Sequence, residues 1–168
     1  DQDQRIADRV IEAGRAAILV LNKWDLLDEE ARERIEKDLE RQLPHLRWAP
    51  VVRTSALTKR GVARVMPAVE LARASWEKRI PTAALNGWIR AAVEKIPLGS
   101  RGTRPPRIKY ATQVTVRPPT VVVFASDRLP DHATRALENS LRAAFGFEGS
   151  PIRVMVRVRK RERKPAGS

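Results

Sequence analysis

The sequence predicts an α/β fold in two parts: a parallel sheet with covering helices over residues 1–80, then an α+β domain with a three-stranded sheet over 81–160, with a basic tail at 161–168. Three observations predict it. Apolar runs of strand length at 16–21 and 50–56 alternate with helical patterns at 29–43 and 61–79, the order that builds a parallel sheet under helices. Beyond Pro81 the pattern becomes helix, strand, strand, helix, strand. The charge changes there as well. Residues 1–80 hold sixteen Lys and Arg against fourteen Asp and Glu, whereas 81–168 hold seventeen against six, so most of the net charge of +13 lies in the second half.

Each element follows from its side chains. Residues 2–15 set Ile6, Val10 and Ile11 on one side of a helix that ends near Gly14. The run Ala16-Ala17-Ile18-Leu19-Val20-Leu21 has no polar residue, as a buried parallel strand requires. Asp28 is placed to cap a helix over 29–43 with Ala31, Ile35, Leu39 and Leu43 as its inner stripe, and Pro44 stops it. After the strand at 50–56, a helix over 61–79 puts Val62, Val65, Met66, Val69, Ala72 and Trp76 on one face. Two strands alone leave unpaired edges, so this sheet is expected to be incomplete.

In the second part, Leu85, Trp88, Ile89, Ala92, Val93 and Ile96 recur at helical spacing over 82–96, which makes Trp88 a core residue rather than a base-stacking platform. Residues 97–106 read as a basic loop. Strands are expected at 107–117, where Ile108, Tyr110, Thr112, Val114 and Val116 alternate, and at 120–125, which is nearly all apolar. A helix after Pro130 carries Ala133, Ala136, Leu137, Leu141, Ala144 and Phe145 on one side and closes at Gly146. From 152 to 159, Ile152, Val154, Val156 and Val158 alternate with Arg153, Met155, Arg157 and Arg159, placing three arginines on one solvent face. This α-β-β-α-β order resembles a KH-like fold.

The basic second half points to a polyanionic partner, most simply nucleic acid; a basic solubilising surface is the plainer alternative. Arg101, Arg104, Arg107, Lys109, Arg153, Arg157 and Arg159 are the candidate contacts, since charge alone suffices to hold phosphates. Gly99-Ser100-Arg101-Gly102 has the spacing of a G-x-x-G RNA clamp, but it links a helix to a strand instead of two helices, which argues against that role.

Two motifs end the strands of the first part, where α/β sheets collect their ligands. Asn22-Lys23-Trp24-Asp25 follows the first, and Thr54-Ser55-Ala56-Leu57 lies in the second and just beyond it. Together they look like a guanine-reading site. Guanine presents adjacent N1–H and N2–H donors, and a carboxylate can accept both at once, so Asp25 is the candidate for base selection. Adenine would leave that carboxylate unpaired. Asn22 can donate to N7 and tie the neighbouring loops together, Lys23 can lay its aliphatic stem along the base, and the Ala56 N–H can donate to O6. Read alone, Asn22-Lys23-Trp24-Asp25 could equally be a polar turn before a helix.

Other chemistry is excluded or unsupported. None of the eight glycines is followed by Lys, so there is no G-x-x-x-x-G-K-[ST] phosphate loop, and no Asp-x-x-Gly faces a γ-phosphate. Phosphoryl transfer depends on positioning and electrostatics that these elements supply, so the chain alone is expected to be inactive. There are no cysteines and two histidines, His45 and His132, both read as surface residues, so no metal site and no catalytic residue are assigned. No apolar stretch reaches membrane-span length. A chain that opens at Asp1 fits part of a longer reading frame.

Asp1-Gln2-Asp3-Gln4-Arg5-Ile6-Ala7, Asn22-Lys23-Trp24-Asp25, Thr54-Ser55-Ala56-Leu57, Tyr110-Ala111-Thr112-Gln113, Arg117-Pro118-Pro119-Thr120 and Leu137-Glu138-Asn139, in this order, resemble the C-terminal part of the tandem-G-domain GTPases of the Der (EngA) type. The resemblance implies the C-terminal half of a P-loop G domain followed by a KH-like domain, in a bacterial cytoplasmic protein that binds the large ribosomal subunit or its RNA during assembly. It maps Asn22, Lys23 and Asp25 onto the guanine-specificity motif and Ser55, Ala56 and Leu57 onto the loop closing over the base. GTP or GDP is the implied ligand, Mg²⁺ is expected only in the intact protein, and an intramolecular G domain is a further partner. The alternative is a stand-alone basic KH-like module that binds ribosomal RNA or a protein without nucleotide turnover.

Overall fold

A computed structural model describes residues 2–99 and 105–159. It divides into two compact units. The first comprises Asp1–Lys78 with two later segments, Val116–Pro119 and Phe147–Pro151; the second comprises Arg79–Thr115, Thr120–Gly146 and Ile152–Ser168. The basic tail expected at 161–168 and the loop positions Arg101 and Arg104 lie outside the described residues.

In the first unit the order is α1 (Gln2–Glu12), β1 (Leu19–Leu21), α2 (Glu29–Gln42), β2 (Val51–Arg53) and α3 (Val65–Trp76), with short 3₁₀ turns at Trp24–Leu26, Pro44–Leu46 and Val62–Arg64. β1 and β2 pair in parallel, Leu19 opposite Val51 and Leu21 opposite Arg53. The strands are shorter than the apolar runs predict. Ala17 N–H donates to Gly149 O (2.9 Å), so the first residues of the run are held by a segment from far along the chain and not by a strand. Asp28 caps α2 by accepting the Ala31 N–H at 2.8 Å. The inner stripe of α2 is only half-buried, and on α3 and the turn before it Val62, Met66 and Val69 are exposed at 44%, 62% and 38%, so the single buried face expected there is not formed by these residues. A small core gathers Ala7, Leu46 and Ala49 with Ile11, Leu19, Leu43 and Trp48.

Gly149 fixes this unit's packing. Its φ is +77°, its N–H donates to Trp48 O at 2.7 Å, and a Cβ placed on it would run into the Cβ of Ala72 and come within 2.6 Å of that residue's Cα. Only glycine fits. Trp76 adds a second tie, its indole N–H donating to Gly14 O at 2.7 Å.

The second unit is built from α4 (Thr82–Lys95), β3 (Ile108–Thr115), β4 (Thr120–Ala125), α5 (Asp131–Phe145) and β5 (Arg153–Val158). Its sheet is mixed, in the order β3-β4-β5: β3 and β4 pair antiparallel, β4 and β5 pair in parallel. One row of side chains, Ala111, Val121, Val123, Ala125 and Val154, is buried together with Leu85, Trp88, Ile89 and Ala92 of α4 and Ala133, Leu137 and Leu141 of α5. Trp88 is core, edge-on to Phe145 at 6.4 Å, and its N–H donates to Ser140 Oγ at 3.1 Å. Asn86 splices α4 to β3, donating to Ala111 O and accepting from Ala111 N–H, both at 3.1 Å.

Glu138 of α5 accepts the Val154 N–H at 3.3 Å. Burial raises its carboxyl above the ordinary range, outweighing that hydrogen bond and the nearby Arg142 and Arg135, and burial likewise lowers Arg142 against the pull of Glu138. The raised value fixes the sign of the linkage: the stability gained from a neutral Glu138 is complete below its unfolded-state pKa and lost as pH rises through the folded one. Glu138→Gln keeps an acceptor for Val154 and removes the charge. It is expected to leave stability at pH 7 unchanged or higher by up to about 1 kcal/mol, and to steepen the acid limb of melting temperature against pH, because the low-pH advantage of a neutral Glu138 over its charged form is gone. A clear loss at pH 7 would show that the arginine attraction dominates.

Candidate functional site

The two strand-end loops adjoin. Thr54 N–H donates to Leu21 O (2.9 Å) and Trp24 N–H donates to Thr54 O (3.0 Å), carrying the parallel pairing past the ends of β1 and β2. Asn22 Oδ1 then accepts the Ala56 N–H at 3.0 Å and the Thr54 hydroxyl at 3.5 Å. The sequence offers the Ala56 N–H to guanine O6, but here it is engaged by Asn22 because that side chain bridges the loops. Lys23 turns the chain with φ 59°, a left-handed conformation that costs a non-glycine residue about 1–2 kcal/mol and is held by the Trp24 and Leu26 hydrogen bonds around it. Ser55 is buried, its N–H donating to Arg60 O at 2.9 Å and its Oγ accepting the Thr58 N–H at 3.1 Å.

Asp25 stands in the 3₁₀ turn that follows, exposed and, among the described residues, without a hydrogen bond or ion pair. With Thr54 and Ser55 it borders a cavity of about 200 Å³. Asn22, Lys23, Ala56 and Leu57 are not on that wall, and Leu57 is 87% exposed. The structure therefore brings Asp25 and Ser55 together and makes Asn22 and Ala56 the tie behind them.

The rest of the wall is Trp24 and Gly61 with four arginines, Arg32, Arg53, Arg60 and Arg64, that the motifs do not contain. The guanidiniums of Arg53 and Arg32 lie over the Trp24 ring, 5.4 Å and 5.9 Å from its centroid. Arg53 is fixed by Glu36, its Nε donating to Oε1 at 2.7 Å. Gly61, with φ +74°, passes so close to the Arg53 carbonyl oxygen that a Cβ would collide with it. The spacing of Arg60 and Arg64, four residues apart at a helix start, was the available signal; Arg32 and Arg53 are scattered along the chain and carry none.

In the second unit, Arg153 and Arg157 sit opposite Thr120 and Phe124 on the sheet face away from the buried row, and both are exposed. Phe124 stacks on Tyr110 at 4.4 Å and 19°. Arg159 Nη1 donates to the Tyr110 hydroxyl at 3.1 Å, and Lys109 Nζ donates to Arg159 O at 3.1 Å, so these three meet at one end of the sheet. Arg107 is exposed at the start of β3, its N–H donating to Ser126 Oγ at 2.9 Å. Among the described residues no helix is long and apolar enough to cross a membrane.

Residues 79–157 match the family described as "KH-domain-like of EngA bacterial GTPase enzymes, C-terminal". The chain is 52% identical over 161 residues to GTPase Der of Mycobacterium avium, 50% over 160 residues to that of Mycobacterium leprae and 49% over 161 residues to that of Mycobacterium tuberculosis. These alignments cover 96%, 95% and 96% of the chain, and it spans about a third of the length of the curated relatives it matches, 34%, 35% and 35% respectively. Identity of about 50% over nearly the whole chain, together with the KH-like match over residues 79–157, makes this chain the C-terminal part of a GTPase of the Der (EngA) family.

Proposed function

We propose that the chain supplies the guanine-reading loops and the KH-like domain of a cytoplasmic GTP-binding protein that acts in assembly of the large ribosomal subunit. The observation that carries the first half is the unpartnered Asp25 carboxylate, held beside buried Ser55 by the Asn22 bridge to Thr54 and Ala56. An acceptor-only group with no protein donor is suited to the paired N–H donors of guanine and poorly suited to adenine. Lys23, at the bend, supplies a stem for the base plane, and Leu57, fully outside the cavity, a cover for it. The chain's own residues bind and orient a base; the phosphate loop and the Mg²⁺ residues have no match in its sequence, so phosphoryl transfer needs elements beyond it.

Titration with GDP and with ADP, followed through the backbone amide signals of Asp25 and Ser55, is expected to give saturable shifts with GDP and none with ADP at the same concentration. Equal responses would end the reading. A second reading, an RNA-binding module that works without nucleotide turnover, is favoured by the face that joins Arg153 and Arg157 to the Tyr110–Phe124 stack. It predicts RNA affinity that falls steeply between about 50 and 200 mM salt as counterions are released. Flat affinity over that range rejects it.

A further inference from the structure

Asp25 has no side-chain partner among the described residues, so nothing but its own backbone aims the carboxylate. That backbone is the 3₁₀ turn Trp24–Leu26. The turn lacks a side-chain cap and opens on Lys23 in a left-handed conformation, so contacts from outside it must hold it in place.

Trp24 supplies those contacts on three sides. Its N–H donates to Thr54 O at 3.0 Å, just beyond β2, and its carbonyl accepts Arg32 Nη2 from the start of α2 at 3.4 Å. Its half-buried ring meets two guanidiniums, Arg53 at 5.4 Å and Arg32 at 5.9 Å from the centroid, and indole is the strongest ring for such a contact. Two like charges at one ring repel, and Glu36 neutralises one of them by accepting the Arg53 Nε–H at 2.7 Å. Arg32 has no ion pair among the described residues, and its Nε is buried without a hydrogen-bond partner. The ring and carbonyl of Trp24 are therefore what hold its guanidinium.

We infer that Trp24 is the positioning residue for Asp25: its ring, pinned by Arg32 of α2 and by the Arg53–Glu36 pair, fixes the turn and so sets where the carboxylate stands. A binding constellation has to be held to within about 0.5 Å, and a freely exposed carboxylate on an untethered turn is not. Base selectivity then depends on a side chain that does not itself meet the base. The inference rests on the guanine reading of Asp25 for its effect on selectivity, and on the turn alone for its effect on order.

The test compares Trp24→Phe, which keeps an aromatic face, with Trp24→Leu, which keeps apolar bulk and removes that face. In the unliganded chain, Trp24→Leu is expected to speed hydrogen exchange of the Leu26 N–H, which closes the turn on Lys23 O, by about tenfold or more, with Trp24→Phe close to the parent. On titration with GDP and with xanthosine diphosphate (XDP), Trp24→Leu should lower the preference for GDP about tenfold and Trp24→Phe should restore most of it. Glu36→Gln, an exposed change on α2 that touches neither turn nor base, should move both readouts the same way by less. A tryptophan that serves stability alone would lower the melting temperature in Trp24→Leu and leave the GDP-to-XDP ratio as it was. That result overturns the inference, as does Leu26 exchange equal in the parent and Trp24→Leu. Should Trp24→Leu fail to fold, Glu36→Gln decides, and both readouts unmoved in it reject the role. A parent without GDP preference ends the guanine reading instead, and the exchange rates still show whether Trp24 holds the turn.

Discussion

Asp25→Asn is expected to move base preference from guanine to xanthine by about 100-fold or more, read as the ratio of GDP to XDP dissociation constants. The direction follows from donors and acceptors. The carboxylate accepts both N1–H and N2–H of guanine; an amide in its place turns one acceptor into a donor, which faces the guanine N2 amine unfavourably and the xanthine C2 carbonyl favourably. Because Asp25 makes no hydrogen bond or ion pair among the described residues, the exchange breaks nothing in the folded chain, and the change in ratio reports recognition alone. Unchanged melting temperature with a shifted ratio supports the assignment. An unaltered ratio means that another group reads the base.

Gly149→Ala is expected to destabilise the first unit by about 2–5 kcal/mol, the sum of a left-handed φ imposed on alanine and overpacking against a neighbouring helix. The collision is with the Cβ and Cα of Ala72, the latter 2.6 Å from the added atom, and neither is the movable end of a flexible side chain. Both backbone bonds of this residue, to Trp48 O and from Ala17 N–H, would shift with it. Combining the change with Ala72→Gly removes the obstructing methyl group but leaves the helix backbone in the way, so chemical denaturation should show partial rescue. Full stability in the single variant would mean that the 147–151 segment is not seated as described.

The elements most legible in the sequence are those with local periodicity. The helix over 82–96, the apolar strand at 120–125 and the alternating final strand depend on side chains a few residues apart, and Leu85, Trp88, Val121 and Val154 are buried as that spacing requires. Ala16, Ala17 and Ile18 have the composition of a strand, but the hydrogen-bond partner of Ala17 is Gly149, more than a hundred residues later, and no window along the chain contains that fact. The α3 face failed for a related reason: its 3.6-residue pattern is real, yet Val62, Met66 and Val69 find nothing to cover them in this unit. At the site, motif spacing led to Asp25, Ser55 and the Asn22 tie. The arginine wall was illegible because its four members come from α2, β2 and the turn before α3, brought together only by tertiary structure.

The parallel β4–β5 pairing has a consequence for synthesis. β3 and β4 are joined by a tight connection and can zip as soon as both exist, whereas β5 is made after both and must wait for α5 to cross over. Until then β4 offers bare amides and carbonyls along a stretch of valines, the kind of edge on which neighbouring chains seed aggregates. A nonsense mutation before Arg153 would therefore be expected to yield an insoluble product rather than merely a shortened one, with the fraction pelleted from a lysate as its measure.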